Sequence, residues 1–268
     1  LIEDISHNIG ASFNGKALGT FGSAAIYSSS LLKYIDAYNG AFVITKDKTL
    51  SKDLNIEISK YSDPDPCRIA RIILKTFIWN LSLSKTPFSL FMYPLLWSIK
   101  KLNRKKFEEI LGPNIKINFQ QKLPSYYFED IANIQCKMTT KNLKKINELI
   151  TSRIKKVSMV AEVGEKILGT SLLPKLSEPE GKHRHTFWQF LVPVENLMSA
   201  RDALFQRGVE TGPTNLINLA SIVGVDLPCA RRLKENFIFI PIHIETTPRE
   251  YQRIFQCLKE FYGNSEHK

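Results

Sequence analysis

Two short runs of apolar and β-branched residues, Ala24–Ser28 and Ala41–Thr45, are bounded by glycines and charges, the pattern of buried strands in an α/β sheet. The chain then turns polar over 50–66, where Asp63-Pro64-Asp65-Pro66 marks a loop, and a helix is predicted from Cys67. Between 76 and 99 the only charge is Lys85, among Phe77, Trp79, Phe88, Phe91, Tyr93 and Trp97. Lys100, Lys101, Arg104, Lys105 and Lys106 follow at once. Pro87 and Pro94 interrupt this stretch, which argues against a single spanning helix. Two readings stay open: an interfacial hairpin over 76–106 with lysines on lipid headgroups, or two helices packed in the core or at a subunit contact.

Beyond Thr140, Leu143, Ile146, Leu149, Ile150, Ile154 and Val157 recur on one face, predicting one long amphipathic helix. Residues 175–182 are rich in Pro, Glu and Gly and read as a linker or active-site loop. The remainder is read as a small domain: a strand over 186–194, a helix over 195–206 ending at Gly208, and a strand at Phe237–Ile240. Thr247-Pro248-Arg249-Glu250 has the form of a capping box with proline at the first helical position, and Gly263 supplies the stop. Between them Tyr251, Ile254, Phe255, Leu258, Phe261 and Tyr262 form one core-facing stripe. The expected organisation is a large domain with a helical middle over 1–170 and an α+β domain over 171–268.

At 268 residues and 43% hydrophobic composition the chain can bury a real core. Cys67, Cys136, Cys229 and Cys257 are widely spaced, which suits a reducing cytoplasm and suggests neither a zinc knuckle nor a disulfide framework. The net charge of +11 suits an anionic partner, whether nucleic acid, membrane surface or nucleotide-linked substrate. No helix-turn-helix, zinc finger or aromatic RNA-binding signature accompanies it, so nucleic acid is not expected. The chain opens at Leu1, directly on what reads as the end of a strand; the expectation is that an N-terminal part of the large domain lies upstream and that this portion alone is inactive.

The candidate chemistry sits near the start. Lys33 follows Ser28 by five residues, and Glu3-Asp4 closes the opening apolar run. A lone lysine after a serine is most often a solvated surface residue. The three together fit one chemistry, because an amine can form a Schiff base with pyridoxal phosphate, a hydroxyl can hold its phosphate and a carboxylate can keep its pyridine nitrogen protonated.

In order, Glu3-Asp4-Ile5-Ser6-His7, Gly10-Ala11-Ser12, Gly19-Thr20-Phe21-Gly22, Ser28 and Lys33 resemble the consecutive motifs of the DegT/StrS-like sugar aminotransferases, which are fold-type-I pyridoxal phosphate enzymes. The resemblance implies an α/β fold, the C-terminal part of a fold-type-I large domain with a helical middle and a smaller α+β domain. It implies that Lys33 is the Schiff-base lysine and proton shuttle, that Asp4 pairs with the pyridine nitrogen, that His7 stands beside the ring and that Ser28 binds the phosphate. Asn114, after Gly112-Pro113, is the candidate for an asparagine that in relatives reaches the partner subunit's cofactor phosphate.

Later motifs resemble the family too: His185 as a substrate contact, Arg201-Asp202-Ala203-Leu204, Gly208-Val209-Glu210-Thr211, and the strand running from Phe237 to Pro241. The chain departs from the family after the lysine, where Asn and a later Gly-Glu-Gly-Gly turn give way to Tyr34 and Tyr38-Asn39-Gly40-Ala41. That bears on the substrate rather than the cofactor. Some relatives carry histidine for the lysine and dehydrate, so retention of Lys33 favours amino transfer.

The function so implied is transfer of an amino group, with glutamate as donor, to a keto sugar on a nucleotide for surface polysaccharide or related biosynthesis, by a cytoplasmic homodimer. The rival reading is a degenerate homologue acting as a membrane-associated interaction protein through 76–106. A zinc site from His183, His185 and His243 lacks a carboxylate or cysteine at ligand spacing, so no metal is expected. Ser28, Ser29 and Ser30 lack a Gly-x-Ser-x-Gly elbow, and no Gly-x-Gly-x-x-Gly or Walker loop is present.

Overall fold

A computed structural model describes residues 1–31, 33–111, 122–173, 182–211, 224–242 and 245–261. They fall into two compact units that interleave along the chain: Leu1–Leu81, Phe119–Ile154 and Lys175–Trp188 form one, and Ser82–Asn118, Lys155–Pro174 and Gln189–Lys268 the other.

In the first unit β1 (Ile2–Asp4) pairs in parallel with β4 (Ala24–Ser28), which pairs antiparallel with β5 (Ala41–Thr45). Both strands read from the apolar runs form with the expected bounds. Between β1 and β4 a small hairpin joins β2 (Ser12–Phe13) to β3 (Lys16–Ala17). Ile5, Ala25, Tyr27 and Ile35 make the core here, with Ile9, Leu18, Phe42 and Ile146 packed around them. After β5, α1 (Lys48–Ile58) starts where Asp47 accepts from the backbone N–H groups of Thr49 and Leu50. The helix expected after the Asp-Pro loop is α2 (Pro66–Leu83).

The long helix expected beyond Thr140 is divided. α6 (Asn133–Lys144) ends at Lys145, whose φ and ψ of −106° and 2° are not helical, and α7 (Ile146–Leu168) resumes the same apolar period. Ile150 of α7 is buried in the first unit, while Val157 and Val160 are buried in the second; Leu143, on the α6 side of the break, is exposed.

The second unit contains α3 (Lys85–Pro87), a π-helical turn at Phe88–Met92, α4 (Tyr93–Leu102) and α5 (Arg104–Leu111). The apolar stretch is therefore broken into helical pieces, and no helix among the described residues is long and apolar enough to cross a membrane. β6 (Phe190–Pro193) pairs antiparallel with β7 (Phe237–Ile240), and α8 (Leu197–Gln206), α9 (Pro228–Glu235) and α10 (Pro248–Lys259) complete the unit. Val192, Leu204, Ile238, Tyr251, Phe255 and Leu258 are its fully buried centre.

The capping box at the head of α10 forms as read: Thr247 accepts from the Glu250 N–H, and Glu250 accepts from the Thr247 N–H at 2.7 Å. Those backbone and hydroxyl donors hold the Glu250 carboxyl down to about 2. The strand expected over 186–194 is shorter, because Phe187 takes a φ of +56° and its carbonyl and that of Trp188 accept from the Arg153 guanidinium instead of joining a ladder. α8 begins at Leu197 rather than Glu195, since Asn196 caps it through the Ser199 N–H. Residues 175–181, Asn114, His243, Tyr262 and Gly263 lie outside the described residues.

Candidate active site

The parallel pairing of β1 with β4 sets Asp4 opposite Ile26 and brings the carboxyl ends of both strands to one sheet edge. Crevices at the carboxyl ends of parallel strands are where open α/β sheets take their ligands. Asp4 closes β1, Ser28 closes β4, and Lys33 lies in the turn that leaves β4.

Ser6 ties these ends together. Its backbone N–H and hydroxyl both donate to Asp4, the former at 2.9 Å, while its Oγ accepts the Ser28 N–H at 3.0 Å. The Ser6 hydroxyl is the main reason the Asp4 carboxyl is held below its ordinary range, with the backbone bond second and the charges of His7 and Lys33 adding to it. Asp4 is thus a fixed anion at the sheet edge. The Ser28 hydroxyl donates to Ser30 Oγ at 3.2 Å, and the Lys33 N–H to the Ser30 carbonyl, so the serine run is a turn that presents the lysine.

Glu3 works on the opposite side of the strand. Its carboxylate accepts from Gly19, Phe21 and Gly22 N–H groups at 2.7, 2.7 and 2.8 Å, which folds the Gly-Thr-Phe-Gly segment around it. The acidic pair therefore divides its labour: Glu3 shapes a turn and Asp4 faces the edge.

Lys33 is partly buried, and desolvation lowers the pKa of its amine against the opposing pull of Asp4. The amine lies over the Trp188 ring, 4.6 Å from its centroid. On the same indole the His7 imidazole is stacked, 3.7 Å between centroids and 3° from parallel. Desolvation, then the Lys33 charge, lowers the pKa of His7, opposed by Asp4. Both shifts run toward the uncharged form.

Trp188 was missed by sequence reasoning. Ser12 and Arg184 exchange two backbone hydrogen bonds at 3.0 Å, and Arg153 clamps the carbonyls of Phe187 and Trp188, so this remote segment is carried to His7 and Lys33. No local pattern could have announced it.

The turn that replaces the family's glycines keeps an unusual backbone. Tyr38, Asn39 and Gly40 have φ of 61°, 79° and 100°, and Gln135 of α6 donates its side-chain amide to the carbonyls of Tyr38 and Asn39. Two non-glycine residues are thus held in the left-handed region by a buried amide. Tyr27 closes the same loop from below, its hydroxyl accepting the Ile35 N–H at 2.8 Å, and burial pushes that phenol up to about 12.

His185 is exposed, and its Nδ1 accepts the Phe187 N–H at 2.9 Å, so it braces the bend before Trp188. His183 packs on Phe13 and accepts the Asn14 N–H. Among the described residues no three His, Cys, Asp or Glu side chains are grouped closely enough to hold a metal ion.

Lys33, Asp4, His7 and Ser28 are therefore gathered at one edge beside an aromatic surface. An amine, an anion, a hydroxyl and a flat ring are a donor set that suits an aromatic aldehyde carrying a phosphate.

Residues 1–60 match the model of the DegT/DnrJ/EryC1/StrS aminotransferase family. The pleiotropic regulatory protein of Geobacillus stearothermophilus is 21% identical over 271 residues, taking in 98% of this chain and 58% of that protein. A DegT DnrJ EryC1 StrS aminotransferase from Brucella abortus has a similar structure, with TM-score 0.58 and 14% identity over 98% of this chain and 57% of its own. The E. coli GDP-4-keto-6-deoxy-D-mannose-3-dehydratase, solved with bound hydrated PLP, gives 0.59 and 17% over 96% of this chain and 60% of its own. The chain spans somewhat over half the length of these relatives. The resemblance read from the motifs is borne out, for the first 60 residues match this aminotransferase family and the α/β fold of the whole chain is that of its solved members.

Proposed function

We propose that the complete protein is a pyridoxal-phosphate-dependent sugar aminotransferase and that this chain carries the lysine side of its site. The observation that carries the reading is that Lys33 and His7 share the Trp188 indole, beside the carboxyl ends of β1 and β4 where Ser6 ties Asp4 to Ser28.

Bound there, pyridoxal phosphate would supply an aldehyde carbon for amine exchange and a ring that accepts an electron pair. Asp4, kept anionic by Ser6, would hold a proton on the ring nitrogen. Lys33, with its lowered pKa, would give up its charge readily and then carry a proton as general base. His7 would flank the ring beside the indole of Trp188, and the Ser28 hydroxyl would take the phosphate. His185 is assigned to substrate contact.

The amino donor is proposed to be glutamate and the acceptor a keto sugar on a nucleotide, whose phosphates suit the chain's net charge of +11. A homodimer is expected, with Asn114 serving the partner's cofactor.

The test is visible absorbance of the full-length protein titrated with pyridoxal phosphate. A saturable band near the blue edge of the visible, lost in Lys33→Ala and bleached by glutamate, is the expected result. A full-length protein that stays colourless, or whose band persists in Lys33→Ala, sinks the reading.

A further inference from the structure

We propose that the second unit attaches to an anionic membrane surface through the outward face of α4, independently of the chemistry at Lys33. This face is unusual in three respects.

Apolar side chains extend beyond the buried side of the segment. Leu96 is buried with Phe107 and Phe205, and Phe88, Tyr93 and Ile99 pack on them, so one side of the 85–102 segment already forms its core contact. On the flanks of that buried side, Leu90, Phe91, Leu95, Trp97 and Leu102 are 62, 70, 54, 46 and 87% exposed. Large apolar side chains left exposed in such number on one short segment mark a surface that meets something else.

Along the sequence the charge of this stretch has one sign. Between Asp65 and Glu108 there is no acidic residue, while Arg68, Arg71, Lys75, Lys85, Lys100, Lys101, Arg104, Lys105 and Lys106 make nine cations. Of these, Arg68 is paired with Glu129, Lys85 with Glu250 at 3.3 Å, and Lys100 and Arg104 with Asp202 at 2.7 and 2.8 Å. Lys101, Lys105 and Lys106 are exposed. Among the described residues they form no ion pair. A protein partner of mixed surface charge does not call for such a bias; a lipid surface bearing phosphates does.

The order of residues is that of an interfacial anchor. Trp97 and Lys101 lie one turn apart, with the Lys101 ammonium 5.2 Å from the indole centroid, so a cation sits beside an exposed indole, the pairing found at headgroup level. Pro87, Pro94 and the π-helical turn keep the segment too short to span, which leaves it lying in the interface.

The experiment is flotation of the full-length protein with vesicles of phosphatidylcholine alone and of phosphatidylcholine with about a third phosphatidylglycerol. Binding is expected only to the anionic vesicles, weakened at least tenfold by Lys101→Glu/Lys105→Glu/Lys106→Glu and by Phe91→Ser/Leu95→Ser, and unchanged in Lys33→Ala. Circular dichroism confirms that each variant folds. The proposal is overturned if the full-length protein floats with neither vesicle, if those variants float undiminished, or if Phe91→Ser/Leu95→Ser instead splits an oligomer that shows no affinity for lipid. Loss of pyridoxal phosphate binding without loss of flotation would fault the enzyme reading alone.

Discussion

Gly164 lies in α7, and a methyl placed on it would meet Phe255 Cζ and Cε1 at 2.6 and 2.7 Å and Leu172 Cδ1 at 2.5 Å. Leu172 can turn away, but the Phe255 ring is fully buried in the centre of the second unit and has nowhere to go. Gly164→Ala therefore sets two effects against each other. Removing a mid-helix glycine gains about 1 kcal/mol. Forcing a methyl into a packed ring costs about 1–3 kcal/mol, toward the upper end when the neighbour is rigid. The overlap wins, leaving a net loss of about 1 kcal/mol, or roughly 2–4 °C in midpoint for a chain of this size. Thermal unfolding followed by circular dichroism measures it. In Gly164→Ala/Phe255→Leu the smaller side chain makes room, so the double variant loses less than the sum of the singles. A Gly164→Ala protein that melts higher than the parent, or singles that add without coupling, refutes the close packing of α7 on α10.

Two further outcomes follow from polar groups. Arg201 is buried, with its Nη1 3.0 Å from Glu108 and its Nε donating to the Thr211 carbonyl, so Arg201→Met strands the Glu108 and Glu210 carboxylates and costs about 3 kcal/mol in urea unfolding; a neutral change contradicts the pairing. The Glu3 carboxyl is lowered by the backbone N–H groups it accepts, Gly22 first, so its contribution is fully present above pH 4.5 and is lost as pH falls through the lower folded value. Hydrogen exchange at the Gly19, Phe21 and Gly22 amides is therefore faster in Glu3→Gln than in the parent at pH 6, and the two converge in acid; equal rates at pH 6 remove the clamp.

Much of the fold was legible where punctuation is local. Ala24–Ser28, Ala41–Thr45 and Phe237–Ile240 are apolar runs closed by turn residues, and the Thr247 box and stripe of α10 state both the start and the buried face of a helix. The motif order singled out Asp4, Ser28 and Lys33, which the fold sets at the ends of β1 and β4 and in the turn after them. What stayed hidden depends on distant partners. The break at Lys145 has no glycine or proline to mark it, and the strand at 186–194 is cut short because a guanidinium from α7 takes its carbonyls. Trp188 joined His7 and Lys33 only through pairing of Ser12 with Arg184. The role of Ser6 as the bridge between two strand ends likewise appears only once β1 and β4 lie side by side.

The most direct measurement is mass mapping after borohydride reduction of the full-length protein loaded with pyridoxal phosphate. A pyridoxyl adduct on the peptide that contains Lys33, absent from Lys33→Ala, is the predicted result. An adduct settled on some other lysine, with Lys33 unmodified, would contradict the account.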